Sequence, residues 1–305
     1  MANSIRELGR RHKSPGLPLP AYDASLAGPK FSLAATALRP CVLVRTYSGN
    51  RNGLVSLLWS LLLSGHPHLR AFVVDTGKTP TPGLPGIIRS VNALSGRSWV
   101  EVSGRTFAQD VAPRFPALNV EDYGYALTDL VMEDIMEGEL GEREASVSTQ
   151  NQTSGDGSPS LCDTLTVTNA DNVYSPDFLR QTLGLIADQG KDMVGTNWVS
   201  HYEKGNPWQA GPLPYASDWC GPHRSGKNQE MKASPVFECS CIDLGAVTFR
   251  LKQGQQSGIR FIVDKLRANE TLHDLPYSDC LFFKKLKAQS GSSTAVVHEA
   301  LFMHN

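Results

Sequence analysis

Cys41-Val42-Leu43-Val44-Arg45-Thr46, Leu54-Val55-Ser56-Leu57-Leu58-Trp59-Ser60-Leu61-Leu62-Leu63 and Leu69-Arg70-Ala71-Phe72-Val73-Val74-Asp75-Thr76 are the three runs that decide the fold. The first and third are short and almost continuously apolar, which suits strands covered on both faces. Between them, Ser48-Gly49-Asn50 signals a turn and a helix entry. Gly65-His66-Pro67 then ends the helix, because proline cannot continue it. Strand, helix and strand in this order predict a parallel pair joined by a right-handed crossover. Ten helical residues reach about 15 Å, roughly half of a bilayer core, so the Leu-rich run reads as a buried helix and not a membrane span.

Outward from this unit the alternation continues. Residues 98–102 read as a third strand. Residues 123–136 read as a helix with Leu127, Leu130, Val131 and Ile135 on its apolar side. Residues 161–168 form another buried strand, Ser175-Pro176-Asp177 opens a helix, and 192–199 is a fifth strand. Regular structure returns at 237–249, followed by a helix over 278–289 and a strand over 294–302. Residues 138–160 have almost nothing to bury and read as a surface loop. Residues 203–234, rich in Gly, Pro and Trp, read as a lid or binding surface. Residues 1–39 read as a flexible arm or stalk that packs partially. The expectation is one α/β, Rossmann-like domain over residues 40–305. It has a largely parallel central sheet and a smaller subregion on the later half.

The chain has 305 residues, 40% apolar and 19% charged, which suits a soluble globule. Its 29 basic and 30 acidic residues leave a net charge of -1. That balance holds neither nucleic acid nor an anionic membrane non-specifically, so neither partner is expected. The first thirty residues carry no apolar core of the signal-peptide kind, so a secretory form would carry its anchor elsewhere. Six cysteines at 41, 162, 220, 239, 241 and 280 are irregularly spaced with no CxxC, which speaks against zinc. Cys41 and Cys162, each heading an apolar run, read as small core residues. Cys220, Cys239 and Cys241 leave room for one disulfide. The sequons at Asn151 and Asn269 lean toward an oxidising compartment.

In open parallel sheets, ligands bind beyond the carboxyl ends of the strands. Three polar clusters stand there: Arg45-Thr46-Tyr47, Asp75, and Asn169-Ala170-Asp171-Asn172. Each one alone is also a normal loop cap. Trp208 and Trp219 flank the long irregular segment, where aromatic faces either stack on a ligand or pin the loop.

The order of these features resembles the GT-A class of nucleotide-sugar glycosyltransferases. The segment Thr166-Val167-Thr168-Asn169-Ala170-Asp171-Asn172-Val173-Tyr174-Ser175-Pro176-Asp177 is similar to that class's metal-binding DxD strand and following helix. Asp243-Leu244-Gly245-Ala246 is similar to its acceptor loop, and Tyr277-Ser278-Asp279 to its x-E/D-D helix opener. His304 stands where the class has a C-terminal metal-binding histidine. The resemblance runs from about Pro40 to the C-terminus, with a nucleotide-sugar half over about 40–180 and an acceptor half over about 181–305.

The resemblance implies transfer of a sugar from a nucleotide diphosphate sugar to a carbohydrate or glycoprotein hydroxyl. Asp171 and His304 would bind Mn²⁺ or Mg²⁺. Asp279 would be the base of an inverting reaction, with Asp243 as the alternative base or acceptor ligand. Arg45, Thr46, Tyr47, Asp75, Asn169 and Asp171 would contact the nucleotide, with Tyr47 stacking on the base and Asp75 accepting from it. Gly245, Ala246, Trp208 and Trp219 would face the acceptor. The sequence departs from the class at Asn169, where an amide binds a divalent ion less strongly than a carboxylate. The class also implies the Golgi or another secretory lumen, with the cytoplasm left open. Two alternatives stay beside this reading: a non-catalytic glycan- or partner-binding relative, and a sugar-nucleotide nucleotidyltransferase. The near absence of a Gly-rich phosphate loop after the first strand counts against the latter.

Overall fold

The computed structural model describes residues 30–77, 79–116, 118, 124–137, 161–200, 232–233, 243–251, 260–268, 278–290 and 293–304. In chain order the elements are α1 (Leu33–Ala37), β1 (Pro40–Thr46), α2 (Arg51–Leu62), β2 (Arg70–Asp75), α3 (Leu84–Ser95), β3 (Val100–Val102), α4 (Tyr125–Glu137), β4 (Thr164–Asn169) and β5 (Val173–Tyr174). They continue as α5 (Asp177–Asp188), β6 (Met193–Ser200), β7 (Lys232–Ala233), β8 (Val247–Arg250), α6 (Val263–Arg267), α7 (Ser278–Ser290) and β9 (Thr294–His304).

The expected β1-α2-β2 unit is present with its strands parallel. The sheet runs β3-β2-β1-β4-β8-β6-β9-β5, with β7 added on β6. Strands β1 to β4, β6 and β9 point one way, and β5, β7 and β8 run against them. The result is the mixed α/β fold with a mostly parallel central sheet that the alternation of elements predicts.

Strand periodicity explains the continuous apolar runs. Side chains alternate between faces, so a strand buried on both sides needs apolar residues at every position. Cys41, Leu43, Phe72, Val74, Leu165 and Val167 point into one core, shared with α4, α6 and α7. Val42, Val44, Ala71 and Val73 point into the other, shared with α2, α3 and α5. In α2 the buried residues Leu54, Leu57, Leu58 and Leu61 fall on one helical stripe. Among the described residues, no helix is long and apolar enough to cross a membrane.

Four local features add to or correct the sequence expectation. First, α3 was not foreseen. Its Leu84, Ile88 and Val91 stripe sits among Pro85, Gly86 and two left-handed capping glycines, Gly83 and Gly96, so turn residues hide the period. Second, the regular stretch expected at 237–249 is, within the described residues, a single 3-10 turn (Leu244–Ala246) followed by the short β8. Third, the end of the expected arm belongs to the packed body. Ser32 Oγ caps α1 by accepting from the Ala35 N–H, it also donates to Asp188, and Ala35 is buried. Residues 1–29, the loop at 138–160 and nearly all of 203–234 lie outside the described residues.

The fourth difference is a disulfide. Cys41 and Cys162 are bonded to each other, with Cα atoms 5.8 Å apart. They are therefore not separate small core residues. Their separation of 121 residues disguises the pairing. It is the parallel pairing of β1 with β4, Cys41 lying opposite Leu165, that brings them together. Cys220, Cys239 and Cys241 lie outside the described residues.

Candidate functional site

Strand β1 has β2 on one side and β4 on the other. The chain leaves β1 through α2 toward β2, so β1 and β4 form a point where the strand order reverses. A crevice forms at the carboxyl ends of such strands. The register sets Arg45 opposite Asn169 and Thr46 opposite Asp75. The ladder runs on past the strand ends, as Ala170 N donates to Arg45 O at 2.8 Å and Thr76 N to Thr46 O at 2.7 Å. The three polar clusters are thus neighbours along one edge.

The same alternation divides them between the faces. Arg45 and Asn169 continue the rows of Leu43 and Val167, while Thr46 continues the row of Val44. Thr46 is buried. Its Oγ1 donates to Asn50 Oδ1 at 2.9 Å, and the Tyr47 N–H donates to the same oxygen at 2.9 Å. That hub holds the turn into α2 and leaves the Tyr47 side chain 48% exposed. Gly49 makes room for the ring, since a Cβ there would lie 2.5 Å from Tyr47 Cε2. The Asp75 carboxylate is engaged by its own loop. It accepts from Gly77 N at 3.2 Å, from Thr81 Oγ1 at 3.1 Å and from Thr81 N.

After β4 the chain turns tightly, with Asn172 N donating to Asn169 O at 3.2 Å. Buried Asn172 donates through Nδ2 to Thr168 Oγ1 at 3.0 Å. The start of α2 presses on this turn at Gly53, where a Cβ would come within 2.7 Å of Asp171 Cα and 2.8 Å of Ala170 O. Two residues on, β5 pairs antiparallel with β9, Val173 opposite Met303 and Tyr174 opposite Phe302. His304 closes β9 opposite Ser200. The ladder therefore draws the chain at Asp171 and the chain at His304 to one corner of the sheet.

Asp243 stands close by. Its Oδ1 accepts from Gly245 N at 2.8 Å and caps the 3-10 turn, while Tyr174 Oη donates to Gly245 O at 2.8 Å. Burial, together with the negative charge of Asp243, keeps the Tyr174 phenol well above its ordinary value. Gly245 and Ala246 are buried, and Gly245 is needed for close approach. A Cβ there would meet the Phe302 ring at 2.7 Å and Thr168 Oγ1 at 2.8 Å.

On the other face, Arg45 meets Tyr125, the first residue of α4. The guanidinium carbon lies 4.6 Å from the ring centroid. The Tyr125 hydroxyl donates to the Asp279 carboxylate and accepts from Arg45. Burial and the Asp279 charge hold this phenol far above its usual range, so it stays protonated. Asp279 and Arg45, 234 positions apart in the sequence, thus share one hydroxyl. Trp208 and Trp219 lie outside the described residues.

Three contributors were not singled out by sequence reading. Asn50 was legible only as part of a turn signal. Gly53 carries no signal, since a helical glycine looks like a weak helix former until its neighbour is known. Tyr125 had a faint one, an aromatic with a polar handle in the first turn of an apolar helix. Among the described residues there is no group of three His, Cys, Asp or Glu side chains that could hold a metal ion.

No family model matches the chain, and no curated protein does. Several solved structures bear a likeness. The structure of S. aureus TarS aligns at 11% identity over 88% of this chain and 37% of that one, with a TM-score of 0.48. TarS 1-349 in complex with UDP aligns at 12% identity over 88% of this chain and 60% of that one, with a TM-score of 0.49. The mannosyltransferase PcManGT from Pyrobaculum calidifontis, in complex with GDP-Man and Mn²⁺, aligns at 13% identity over 92% of this chain and 61% of that one, with a TM-score of 0.44. This chain thus spans less than two thirds of the length of each. At these identities and TM-scores the likeness carries no functional weight for this chain.

Proposed function

We propose that this chain is a GT-A-like glycosyltransferase, moving a sugar from a nucleotide diphosphate sugar to a carbohydrate or glycoprotein hydroxyl. The observation that supports the reading is the convergence at the strand-order reversal. Arg45 lies beside Asn169, and the Asp171 turn, Asp243 and the end of β9 close around the same corner. Such a corner is where an open α/β sheet receives a ligand.

In this reading Arg45 and the exposed face of Tyr47 flank the nucleoside, with Thr46 behind them holding the turn through Asn50, Asn169 on the ribose and Asp75 shaping the loop beside the base. Asp243, at the head of the 243–246 turn, borders the acceptor, with Trp208 and Trp219 as sugar-stacking faces from the long segment. Asp171 and His304 offer a carboxylate oxygen and an imidazole nitrogen, a donor pair that suits Mn²⁺ better than Mg²⁺. A divalent ion held there would supply Lewis acidity toward the departing diphosphate. The anomeric C–O bond breaks with its electron pair leaving on the diphosphate, and the acceptor oxygen forms the new bond. Asp279 takes the acceptor proton, which favours inversion. Asp243 is the second candidate for that proton. The Cys41–Cys162 bond favours an oxidising compartment such as the Golgi lumen.

A thermal-shift titration with nucleoside diphosphates, with and without Mn²⁺, tests the reading. A ligand that binds only the folded state raises the midpoint with concentration. The Mn²⁺-dependent part of that rise should vanish in Asp171→Ala. An unchanged rise would remove Asp171 from the metal site. No rise with any nucleotide would favour a glycan- or partner-binding role.

A further inference from the structure

We propose that Tyr125 is a positioning residue of this site, its hydroxyl joining Arg45 at the end of β1 to Asp279 at the start of α7. The proposal rests on the sugar-transfer reading for its catalytic meaning, though the hydrogen-bonded unit itself is a separate matter. In that unit, the carboxylate that takes the acceptor proton is held against the residue that flanks the nucleotide.

Three observations support it. The first is where α4 begins. Gly124 adopts φ +72°, and a Cβ there would lie 2.5 Å from Thr76 Cβ. The helix start is therefore docked directly on the end of β2, beside the carboxyl end of β1. The second is an aromatic stack. Tyr125 stacks on Phe261 with centroids 5.1 Å apart, and Phe261 on Phe282 at 4.2 Å with planes 10° apart. Phe282 lies three residues after Asp279 on α7, so the two share a helical face. The stack thus fixes the first turn of α7 relative to Tyr125, and with it Asp279.

The third is the hydroxyl. Ring stacking alone would be met by phenylalanine. Tyr125 is only 6% exposed, and a buried hydroxyl is costly unless it has partners. Here it has two of opposite charge, Arg45 and Asp279. Arg45 also covers the ring face, so the phenol is held from two directions. As a protonated donor it fixes the direction of the Asp279 carboxylate, and a hydrogen bond given to a charged carboxyl favours that form.

Tyr125→Phe removes the hydroxyl and keeps the stack. Two measurements decide its role. Carbon-13 carboxyl titration, with the Asp279 resonance assigned through Asp279→Asn, should show Asp279 titrating about one pH unit higher in Tyr125→Phe. Sugar-transfer kinetics should show kcat about tenfold lower with the donor KM changed less than about threefold, and no further loss when the change is made in Asp279→Asn. An unmoved Asp279 titration would overturn the proposal. So would an equal fold loss in both backgrounds, which marks a packing role. If the wild type neither binds nucleoside diphosphates nor transfers sugar, the functional reading fails, and the carboxyl titration still decides whether Tyr125 holds Asp279.

Discussion

Gly53 stands in the first turn of α2 with its Cα against the Ala170–Asp171 turn. Two effects compete in Gly53→Ala. Alanine stabilises a helix interior by about 1 kcal/mol relative to glycine. Against this, the new methyl would sit 2.7 Å from Asp171 Cα and 2.8 Å from Ala170 O, both backbone atoms that cannot swing aside. Overpacking of this kind costs about 1–3 kcal/mol, so the clash should win. The expected outcome is a lower melting midpoint together with weaker Mn²⁺-dependent nucleotide binding, read by calorimetry. A higher midpoint with unchanged binding would show that the turn yields freely. The position also explains why Asp171 is held where it is, since backbone packed on backbone has little room to drift.

At the scale of elements, α4 organises the later half of the chain. Its buried Asp129 accepts from Phe261 N at 2.7 Å, Ile262 N at 2.8 Å and Val263 N at 2.9 Å, capping α6. One turn further, Glu133 pairs with Arg260 at 3.1 Å and Arg267 at 2.9 Å. Burial pushes the Asp129 carboxyl up to about 7 despite those donors and the nearby Arg260 charge. A carboxyl whose folded value exceeds its unfolded value stabilises the fold through its neutral form. That contribution is complete below the ordinary value of 3.8 and is lost as pH rises toward about 7. Asp129→Asn removes the titration and leaves one oxygen to serve three N–H groups, costing about 1–3 kcal/mol at pH 5. Urea unfolding should show that deficit shrinking between pH 5 and pH 8. A deficit that stays flat over this range would mean that Asp129 is ionised throughout.

For the whole molecule, the disulfide joins the amino-terminal ends of the two strands whose carboxyl ends frame the proposed site. Closing a loop of 121 residues restricts the unfolded chain by about 4–5 kcal/mol on the chain-entropy argument. Cys41→Ser with Cys162→Ser should lower stability by several kcal/mol while leaving Asn169 and Arg45 in register, because the β1–β4 ladder supplies the register. Urea unfolding of the oxidised chain and of the double variant measures the difference. Equal stability would show that the bond contributes nothing.

The strands and helices around β1 were legible because burial on both faces demands unbroken apolar runs, and these survive in the sequence without any knowledge of the partner. The polar strand ends at Arg45, Asp75 and Asn169 were legible for the same reason, as the points where those runs stop. The sequence by itself thus determined the α/β layering and which polar residues end its strands. Only the tertiary structure decided which residues meet across that edge. Cys41 met Cys162, Gly53 met Asp171, and Tyr125 met both Arg45 and Asp279. Local propensity and periodicity describe a residue's own element. A contact between residues eighty or more positions apart depends on the order in which strands are laid into the sheet, and that order is not written in any one segment.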